Sequence, residues 1–196
     1  MKINEVLSKN ILIVDVQPAY DHHCKHIVSK VCKLLNENSG RSVVLYNSHD
    51  YSQDHKGDVI EYYLEHGLEP NLVDDGSIHF VPKEYGFLRP WMDLGISDEL
   101  IVKVLRLMVQ ERVNDSRQLD LEDLLDDDDI EELNSNGKYW RDEPLYLPEF
   151  IEIAQLRQFA PFLMAGGGRY ECLKEVELIC EAFDIKYELI TSLIYG

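Results

Sequence analysis

The sequence predicts an α/β fold that is doubly wound around a mostly parallel sheet, with helices on both faces. Short apolar runs rich in β-branched residues alternate with stretches whose apolar residues recur every three or four positions. The first run, residues 11–14 (ILIV), is apolar at every position, which is typical of a strand buried on both faces of a parallel sheet. The spacing of strand, helix and strand matches a βαβ unit. A Rossmann-like alternation of strands and helices is therefore expected.

Five strands and three main helices follow from these periodicities. Ser97 is a predicted N-cap for the second main helix. Residues 50–76 are polar and are predicted to be largely irregular, apart from a helical piece over residues 59–64. The predicted helices cover residues 26–36, 97–108 and 172–183, and the predicted strands cover residues 11–16, 42–46, 78–81, 162–165 and 187–190.

The charge balance excludes several classes of partner. Nineteen Lys and Arg against 37 Asp and Glu give a net charge of −18, which repels nucleic acid and acidic lipid surfaces. We therefore expect no direct contact with nucleic acid and no membrane association. The first residues lack the basic start and apolar core of a secretory signal, and four cysteines without such a signal indicate free thiols in a reducing compartment. The expected location is the cytoplasm.

Residues 114–149 form an acidic segment that includes four consecutive aspartates, residues 126–129. An EF-hand loop needs alternating ligands and a glycine at its turn, and neither occurs here in register. We interpret the segment as a solvated insertion in a single domain that spans residues 1–196, with binding to a basic protein partner as the alternative. Trp140 and Tyr146 predict that the end of the insertion packs back onto the domain.

Three residues of complementary chemistry follow predicted strands. Ligands of open α/β sheets bind beyond the carboxyl ends of the strands, a rule that selects Asp15, Lys83 and the turn before Cys172. A cysteine that begins a helix experiences the positive end of the helix dipole, which favours the thiolate. A nearby lysine would lower the pKa of the thiol further, and a carboxylate would accept its proton as a general base.

Short motifs around these residues resemble the isochorismatase-like cysteine hydrolases, a family that includes isochorismatases and nicotinamidases. The apolar run that ends in Asp15-Val16-Gln17 is similar to the first strand of that family. Residues 80–87 (FVPKEYGF) are similar to the segment that holds the family's lysine. Residues 166–173 (GGGRYECL) resemble the glycine-led turn into its nucleophile helix, and residues 182–187 resemble the end of that helix.

The resemblance implies a cysteine-dependent hydrolase that cleaves a C–N amide-type or similar bond of a small molecule. Cys172 would be the nucleophile that forms a covalent intermediate, Asp15 the base and Lys83 the electrostatic partner. Backbone N–H groups at the cysteine turn would form an oxyanion hole. We expect no cofactor and no metal, and the resemblance allows a homo-oligomer. The residues expected to contact the substrate are Gln17, Gly167 and Gly168.

Two groups of potential metal ligands are interpreted as ordinary surface residues. Adjacent side chains in the run from His22 to His26, which includes Cys24, cannot easily share one tetrahedral site, so this run is expected to begin a surface helix. His49, Asp50, Asp54 and His55 follow the second strand without the spacing of a nicotinamidase metal site. The three other cysteines, Cys24, Cys32 and Cys180, are interpreted as structural.

Two other functions remain open at this point. The first is a catalytically silent relative that binds a partner through its acidic segment. The second is a metal-dependent phosphoester hydrolase that uses Asp15 and Asp50.

Overall fold

The computed structural model describes residues 9–48, 54–83, 88–135, 138–147 and 150–196. Its sheet has five strands in the order β3-β2-β1-β4-β5, and every neighbouring pair is parallel. The chain moves outward from β1 to β3 and then returns to the other side of β1, which is the strand order of a doubly wound sheet. The α/β class and the parallel sheet are thus confirmed. The strands are β1 (Asn10–Val14), β2 (Ser42–Asn47), β3 (Ile78–Lys83), β4 (Phe162–Gly166) and β5 (Tyr187–Leu189).

All five predicted strands are found, with ends within two residues of the prediction. The largest differences are at β1, which ends at Val14, and at β3, which continues through Val81 to Lys83. This extension places Lys83 at the carboxyl end of a strand, opposite Asn47 of β2 in register. The backbone of Lys83 is therefore fixed by the pairing of β3 with β2.

The chain divides into two compact units. The first contains Met1–Tyr85, Phe159–Lys174 and Lys186–Gly196, and so includes the whole sheet. Its helices are α1 (Asp21–Cys24), α2 (Val28–Glu37), α3 (Lys56–Glu65) and α4 (Asn71–Asp74), with single 3₁₀ turns at Pro18–Tyr20 and Thr191–Leu193.

The core of this unit lies against one face of the sheet. Ile11 and Ile13 of β1 pack in one cluster with Val31 of α2 and Tyr63 of α3. Leu12 and Val14 point to the opposite face because side chains alternate along a strand, and both are also buried. Strand β1 is therefore covered on both faces, as its unbroken apolar run predicts.

Residues 50–76 were predicted to be largely irregular, which is wrong for most of the described part of that range. Helix α3 is longer than the predicted helical piece because its start is fixed by a reciprocal cap. The backbone N–H of His55 donates to the carboxylate of Asp58 at 2.8 Å, and the His55 side chain accepts from the backbone of the same turn. Val59, Tyr62 and Tyr63 then form the buried face of α3.

The second unit contains Gly86–Gln158 and Glu175–Ile185. Ser97 caps α6 as predicted, because its side chain accepts a hydrogen bond from the N–H of Leu100. The helices are α5 (Arg89–Asp93), α6 (Asp98–Glu111), α7 (Leu121–Leu124), α8 (Asp127–Ser135), most of α9 (Phe150–Phe159) and most of α10 (Cys172–Ala182), with 3₁₀ turns at Ser116–Gln118 and Lys138–Arg141.

The acidic segment is folded rather than only solvated. Lys103 of α6 pairs with Asp126 at 2.8 Å and also with Asp129. The carboxylate of Glu132 accepts hydrogen bonds from the backbone and side chain of Ser97. Packing at the end of the segment is confirmed at Trp140, which is buried, and wrong at Tyr146, which is 41% exposed. Other buried apolar residues of the segment are Leu121, Leu133, Leu145 and Leu147.

Among the residues with described positions, no helix has the length and apolar character needed to cross a bilayer.

Candidate active site

The candidate site lies at the carboxyl ends of three strands of the first unit. Asp15 follows β1, Lys83 ends β3, and the turn that leads to Cys172 follows β4. Val14 of β1 is opposite Gly166 of β4 in the parallel register, so the Asp15 loop and the cysteine turn leave the sheet side by side. The structure thus brings together the three residues predicted to be catalytic, while their catalytic roles remain predictions.

Asp15 occupies an unusual backbone conformation. Its φ angle is +48°, in the left-handed region that few residues other than glycine, asparagine and aspartate enter readily. The backbone N–H of Asp15 donates to the carbonyl of Leu45 at 2.9 Å, so the residue is fixed to β2 as it turns away from β1. Its side chain has no exposure to solvent. Such a conformation at a strand end is typical of functional sites.

Lys83 supplies the positive charge beside this buried carboxylate. Its Nζ lies 2.9 Å from Oδ2 of Asp15, and the lysine side chain is only 11% exposed. Within the described part of the chain, neither carboxylate oxygen of Asp15 makes a well-aligned hydrogen bond. A buried carboxylate without compensation is strongly unfavourable, so the ion pair with Lys83 is the main interaction that allows Asp15 to stay charged there.

The cysteine turn requires glycine at its first two positions. Gly166 has a φ of +79°, and a Cβ added there would lie 2.4 Å from the carbonyl oxygen of Val14. Gly167 has a φ of +63°, and a Cβ there would lie 2.8 Å from Cβ of Leu173. A side chain at Gly166 would push the turn away from β1, and one at Gly167 would collide with Leu173 at the start of α10. The two glycines therefore allow the turn to hold Cys172 beside the Asp15 loop.

Cys172 is the first residue of α10 and is 8% exposed. The N–H of Gly168 donates to Sγ of Cys172 at 3.2 Å. Burial raises the pKa of the thiol to about 12, and the negative charge of Asp15 adds to this effect. Lys83 and the Gly168 N–H act in the opposite direction but do not reverse it. The expectation of a lowered thiol pKa is therefore wrong, because desolvation outweighs the neighbouring positive charge.

Gln17 was expected to contact the substrate, and the structure gives its side chain three internal hydrogen bonds. Its amide nitrogen donates to the carbonyl of Asn47 at 3.0 Å and to the carboxylate of Asp54 at 2.8 Å. Its amide oxygen accepts from the N–H of Asn47 at 2.7 Å. The side chain is fully buried, so it braces the loop after β1 against the end of β2. Substrate contact by Gln17, Gly167 and Gly168 remains a prediction.

Tyr195 also belongs to the site and was missed by the sequence reasoning. Its hydroxyl donates to the backbone carbonyl of Asp15 at 2.8 Å. Its backbone N–H donates to the carbonyl of Gly167 at 3.2 Å, and its carbonyl accepts from the N–H of Arg169 at 3.1 Å. A single tyrosine in the short apolar stretch 193–195 has no distinctive sequence signal, so only the folded contacts identify it.

The predicted histidine and cysteine cluster does not form a metal centre in the described structure. Cys24 points inward, where its thiol contacts the hydroxyl of Tyr62 at 3.5 Å, whereas His22, His23 and His26 are exposed. No group of three His, Cys, Asp or Glu side chains among the described residues is arranged to hold a metal ion.

The second predicted histidine and aspartate group is only partly described. Asp54 accepts hydrogen bonds from Gln17 and from the N–H of Ala19. His55 begins α3 as its N-cap. His49 and Asp50 lie outside the described residues, and so does the predicted role of Asp50 in a phosphoester hydrolase.

Neither the protein-family models nor the curated proteins nor the solved structures include a match to this chain. The resemblance to isochorismatase-like hydrolases therefore rests on the short motifs and on the site geometry, and family membership is a proposal.

Proposed function

We propose that this chain is an isochorismatase-like cysteine hydrolase that cleaves a C–N amide-type or similar bond of a small molecule. The observation that carries the proposal is the buried Asp15–Lys83 ion pair at 2.9 Å beside the thiol of Cys172. A base, a cation and a nucleophile held together without solvent are the parts that covalent hydrolysis needs. They come from three strand ends, which is where open α/β sheets bind ligands.

The first half-reaction would form a thioester. The Cys172 thiol gives its proton to the Asp15 carboxylate while the sulfur attacks the carbonyl carbon of the substrate. Backbone N–H groups at the turn that leads into Cys172 would stabilise the oxyanion. Asp15 then returns the proton to the departing nitrogen, the C–N bond breaks, and the amine leaves.

The second half-reaction would release the acid. A water molecule gives a proton to Asp15 and its oxygen attacks the thioester carbon. The C–S bond breaks, the thiolate takes the proton back from Asp15, and the carboxylic acid leaves. Lys83 stays charged throughout and balances Asp15 whenever that carboxyl is ionised. The net reaction consumes one amide and one water.

The raised pKa of Cys172 sets a condition on this mechanism. A thiol with a pKa of about 12 is protonated at neutral pH, so the nucleophile must lose its proton as the substrate binds or reacts. An ionised carboxylate adjacent to the thiol meets that condition, because it can accept the proton directly. The resting site thus corresponds to a neutral thiol next to a general base.

The test is hydrolysis of a panel of small amides by the purified full chain and by Cys172→Ala. We expect turnover to fall by about three orders of magnitude or more in this variant, since loss of a covalent nucleophile has effects of at least that size. Mass spectrometry of the quenched reaction should find an acyl adduct on the peptide that contains Cys172.

Cys180→Ala is the matched control. Cys180 lies on the same helix, is also buried and also has a pKa raised to about 12, by burial and by the charges of Glu177 and Glu181. This variant should keep its turnover. Full activity in Cys172→Ala, or an adduct on Cys180 instead, would contradict the proposal.

A second candidate is a catalytically silent relative that binds a basic partner through the acidic segment. The near-complete burial of Cys172 favours this reading, since a substrate must reach the sulfur to react. Because Asp126, Asp129 and Glu132 have structural contacts, the clean test is Asp127→Asn with Asp128→Asn, two exposed residues. The silent reading expects weaker binding of a Lys/Arg-rich peptide in this double variant and no effect of Cys172→Ala.

A further inference from the structure

The end of β2 holds the backbones of both members of the candidate ion pair. The carbonyl of Leu45 accepts a hydrogen bond from the N–H of Asp15 at 2.9 Å. Asn47, at the end of the same strand, lies opposite Lys83 in the parallel register of β2 and β3. The end of β2 is therefore the common support of the acid and the cation.

The side chain of Gln17 joins the Asp15 loop to this support. Its amide oxygen accepts from the N–H of Asn47 at 2.7 Å, and its amide nitrogen donates to the carbonyl of Asn47 at 3.0 Å. Because both backbone groups of Asn47 are bonded to one side-chain amide, the contact fixes the direction of the Gln17 side chain as well as its distance from β2.

Asp54 fixes the orientation of the Gln17 amide. One carboxylate oxygen of Asp54 accepts from the amide nitrogen of Gln17 at 2.8 Å and from the N–H of Ala19 at 3.0 Å. A flipped amide would place its oxygen against that carboxylate, which is unfavourable. Gln17, Asn47 and Asp54 are 0%, 1% and 8% exposed. Both N–H hydrogens of the Gln17 amide are used inside the protein, so no donor of this side chain is left for a substrate.

The carboxylate of Asp15 depends on this loop for its position. Among the described residues, neither of its oxygens makes a well-aligned hydrogen bond, and the backbone of Asp15 has a φ of +48°. Leu45 and the hydroxyl of Tyr195 hold the two backbone groups of Asp15 itself. Gln17 holds the residues that follow, which opposes relaxation of the turn towards an ordinary backbone conformation.

We propose that Gln17 is a positioning residue of the site, which keeps the Asp15 carboxylate within ion-pair distance of Lys83, and that Asp54 orients Gln17 for this role. The inference rests on the proposed hydrolase function for its purpose, but the ion pair can be measured without a substrate. It differs from the sequence-based expectation that Gln17 contacts the substrate, because the amide that would make this contact is bonded inside the protein.

The experiment measures hydrogen exchange of the Lys83 ammonium group by NMR of the full chain labelled with ¹⁵N-lysine. Exposed ammonium protons exchange with water too fast to give a signal at neutral pH, whereas an ion-paired ammonium on a side chain that is 11% exposed should be protected. Lys83→Arg removes the signal and so assigns it. In Gln17→Met, we expect the Lys83 protons to exchange about tenfold faster or more, since three hydrogen bonds of the loop are lost.

Asn38→Leu is the matched control. Asn38 lies near the other end of β2, where its amide nitrogen donates to the carbonyl of Gly40 at 3.1 Å and to Oγ of Ser42 at 3.2 Å. The variant loses hydrogen bonds of the same kind in the same unit without a change in the Asp15 loop. Exchange of Lys83 should keep its wild-type rate in this variant. An equal increase in both variants would indicate a general loss of stability and would overturn the inference.

Unchanged exchange in folded Gln17→Met would also overturn the inference, and so would a wild type without a protected Lys83 signal. If Gln17→Met does not fold, Asp54→Ala replaces it, since this variant removes the acceptor of Gln17 and Ala19 and leaves both bonds to Asn47 in place. The exchange of Lys83 should then increase by a smaller factor, and no increase would contradict the proposal.

Steady-state kinetics with a hydrolysable amide separates positioning from substrate binding. Gln17→Met should lower kcat and leave KM close to the wild-type value, because the base is misplaced while the binding contacts remain. A raised KM with an unchanged kcat would mean that Gln17 contacts the substrate, and the inference would be wrong. Faster Lys83 exchange in a chain that hydrolyses no amide would contradict only the proposed function.

Discussion

Within the described parts of the chain, the Lys83–Asp15 and Lys103–Asp126 contacts have nearly equal lengths but very different surroundings. In the first unit, Lys83 and Asp15 approach to 2.9 Å with side chains 11% and 0% exposed. In the second unit, Lys103 and Asp126 approach to 2.8 Å with side chains 42% and 64% exposed. From distance alone, the two ion pairs would be expected to contribute equally to stability.

Burial separates the energetic roles of these pairs. Water solvates both partners of an exposed pair in the unfolded and folded states, so such a pair adds little to stability. A buried pair must replace all of that solvation, and removal of one partner leaves an uncompensated charge. The Asp15–Lys83 pair is thus costly to break and adds no obvious stability over an apolar pair. Such a costly arrangement is reasonable where chemistry requires a charged group.

The largest expected effect comes from Lys83→Met, compared with Lys103→Met. Loss of Lys83 leaves the Asp15 carboxylate buried without its cation, which should lower the free energy of unfolding by about 3–5 kcal/mol. The matched change at Lys103 leaves two carboxylates that water can reach, so the loss should be much smaller. Urea denaturation of both variants at pH 7 measures the difference, and equal losses would show that burial does not distinguish the two pairs.

An intermediate effect is expected on thiol reactivity in Asp15→Asn. The charge of Asp15 raises the pKa of Cys172, so its removal lowers that pKa and increases the thiolate fraction at any pH below it. Iodoacetamide should therefore label Cys172 about tenfold faster at pH 8, the factor that corresponds to one pKa unit. Hydrolysis should fall in the same variant, because the base is lost.

Asp21→Asn is the control for this measurement. Asp21 accepts from the hydroxyl of Tyr62, and its charge contributes to the raised pKa of Cys24. This variant should leave the labelling rate of Cys172 unchanged. Slower labelling of Cys172 in Asp15→Asn would mean that Asp15 activates the thiol in the resting state, contrary to the electrostatics described above.

The smallest expected effect is the pH dependence of the exposed pair. Hydrogen bonding from Lys103 lowers the pKa of Asp126 from its ordinary value of 3.8. A lowered folded-state pKa gives stability that is present above about pH 4 and is lost as the pH falls through the folded value. The difference in thermal midpoint between wild type and Lys103→Met should therefore be small at pH 7 and vanish at pH 2. If the difference in thermal midpoint persisted at pH 2, it would come from packing of the Lys103 side chain and not from its charge.

Much of the fold could be predicted because local patterns coincide with tertiary burial. The apolar runs of β1 and β4 leave no alternative to a buried strand, and Ser97 marks the start of α6 by its own chemistry. The secondary structure of residues 50–76 was harder to predict, because α3 has a mixed composition and its start depends on the cap formed by His55 and Asp58. In the acidic segment, the apolar residues stand among many carboxylates, and only the tertiary contacts show which of them are buried.

The sequence could predict which residues meet at the candidate site, but it could not predict the pKa of the thiol there. The rule for strand ends places Asp15, Lys83 and Cys172 at one edge of the sheet without knowledge of their distances. The direction of the thiol pKa depends on how far burial outweighs a neighbouring cation, and sequence does not report burial of a side chain at a turn. Tyr195 was beyond reach because its contacts join residues far apart in the chain.

The register between β1 and β4 has a consequence for how this protein is made. Val14 and Gly166 are neighbours in the sheet but lie in distant parts of the chain, so the site exists only after that long-range pairing has closed. Without the pairing, the turn that buries Cys172 is not in place, and its thiol is open to oxidants and electrophiles. Folding therefore protects the sulfur of Cys172. During refolding, the rate at which Cys172 becomes resistant to alkylation reports the pairing of β1 with β4.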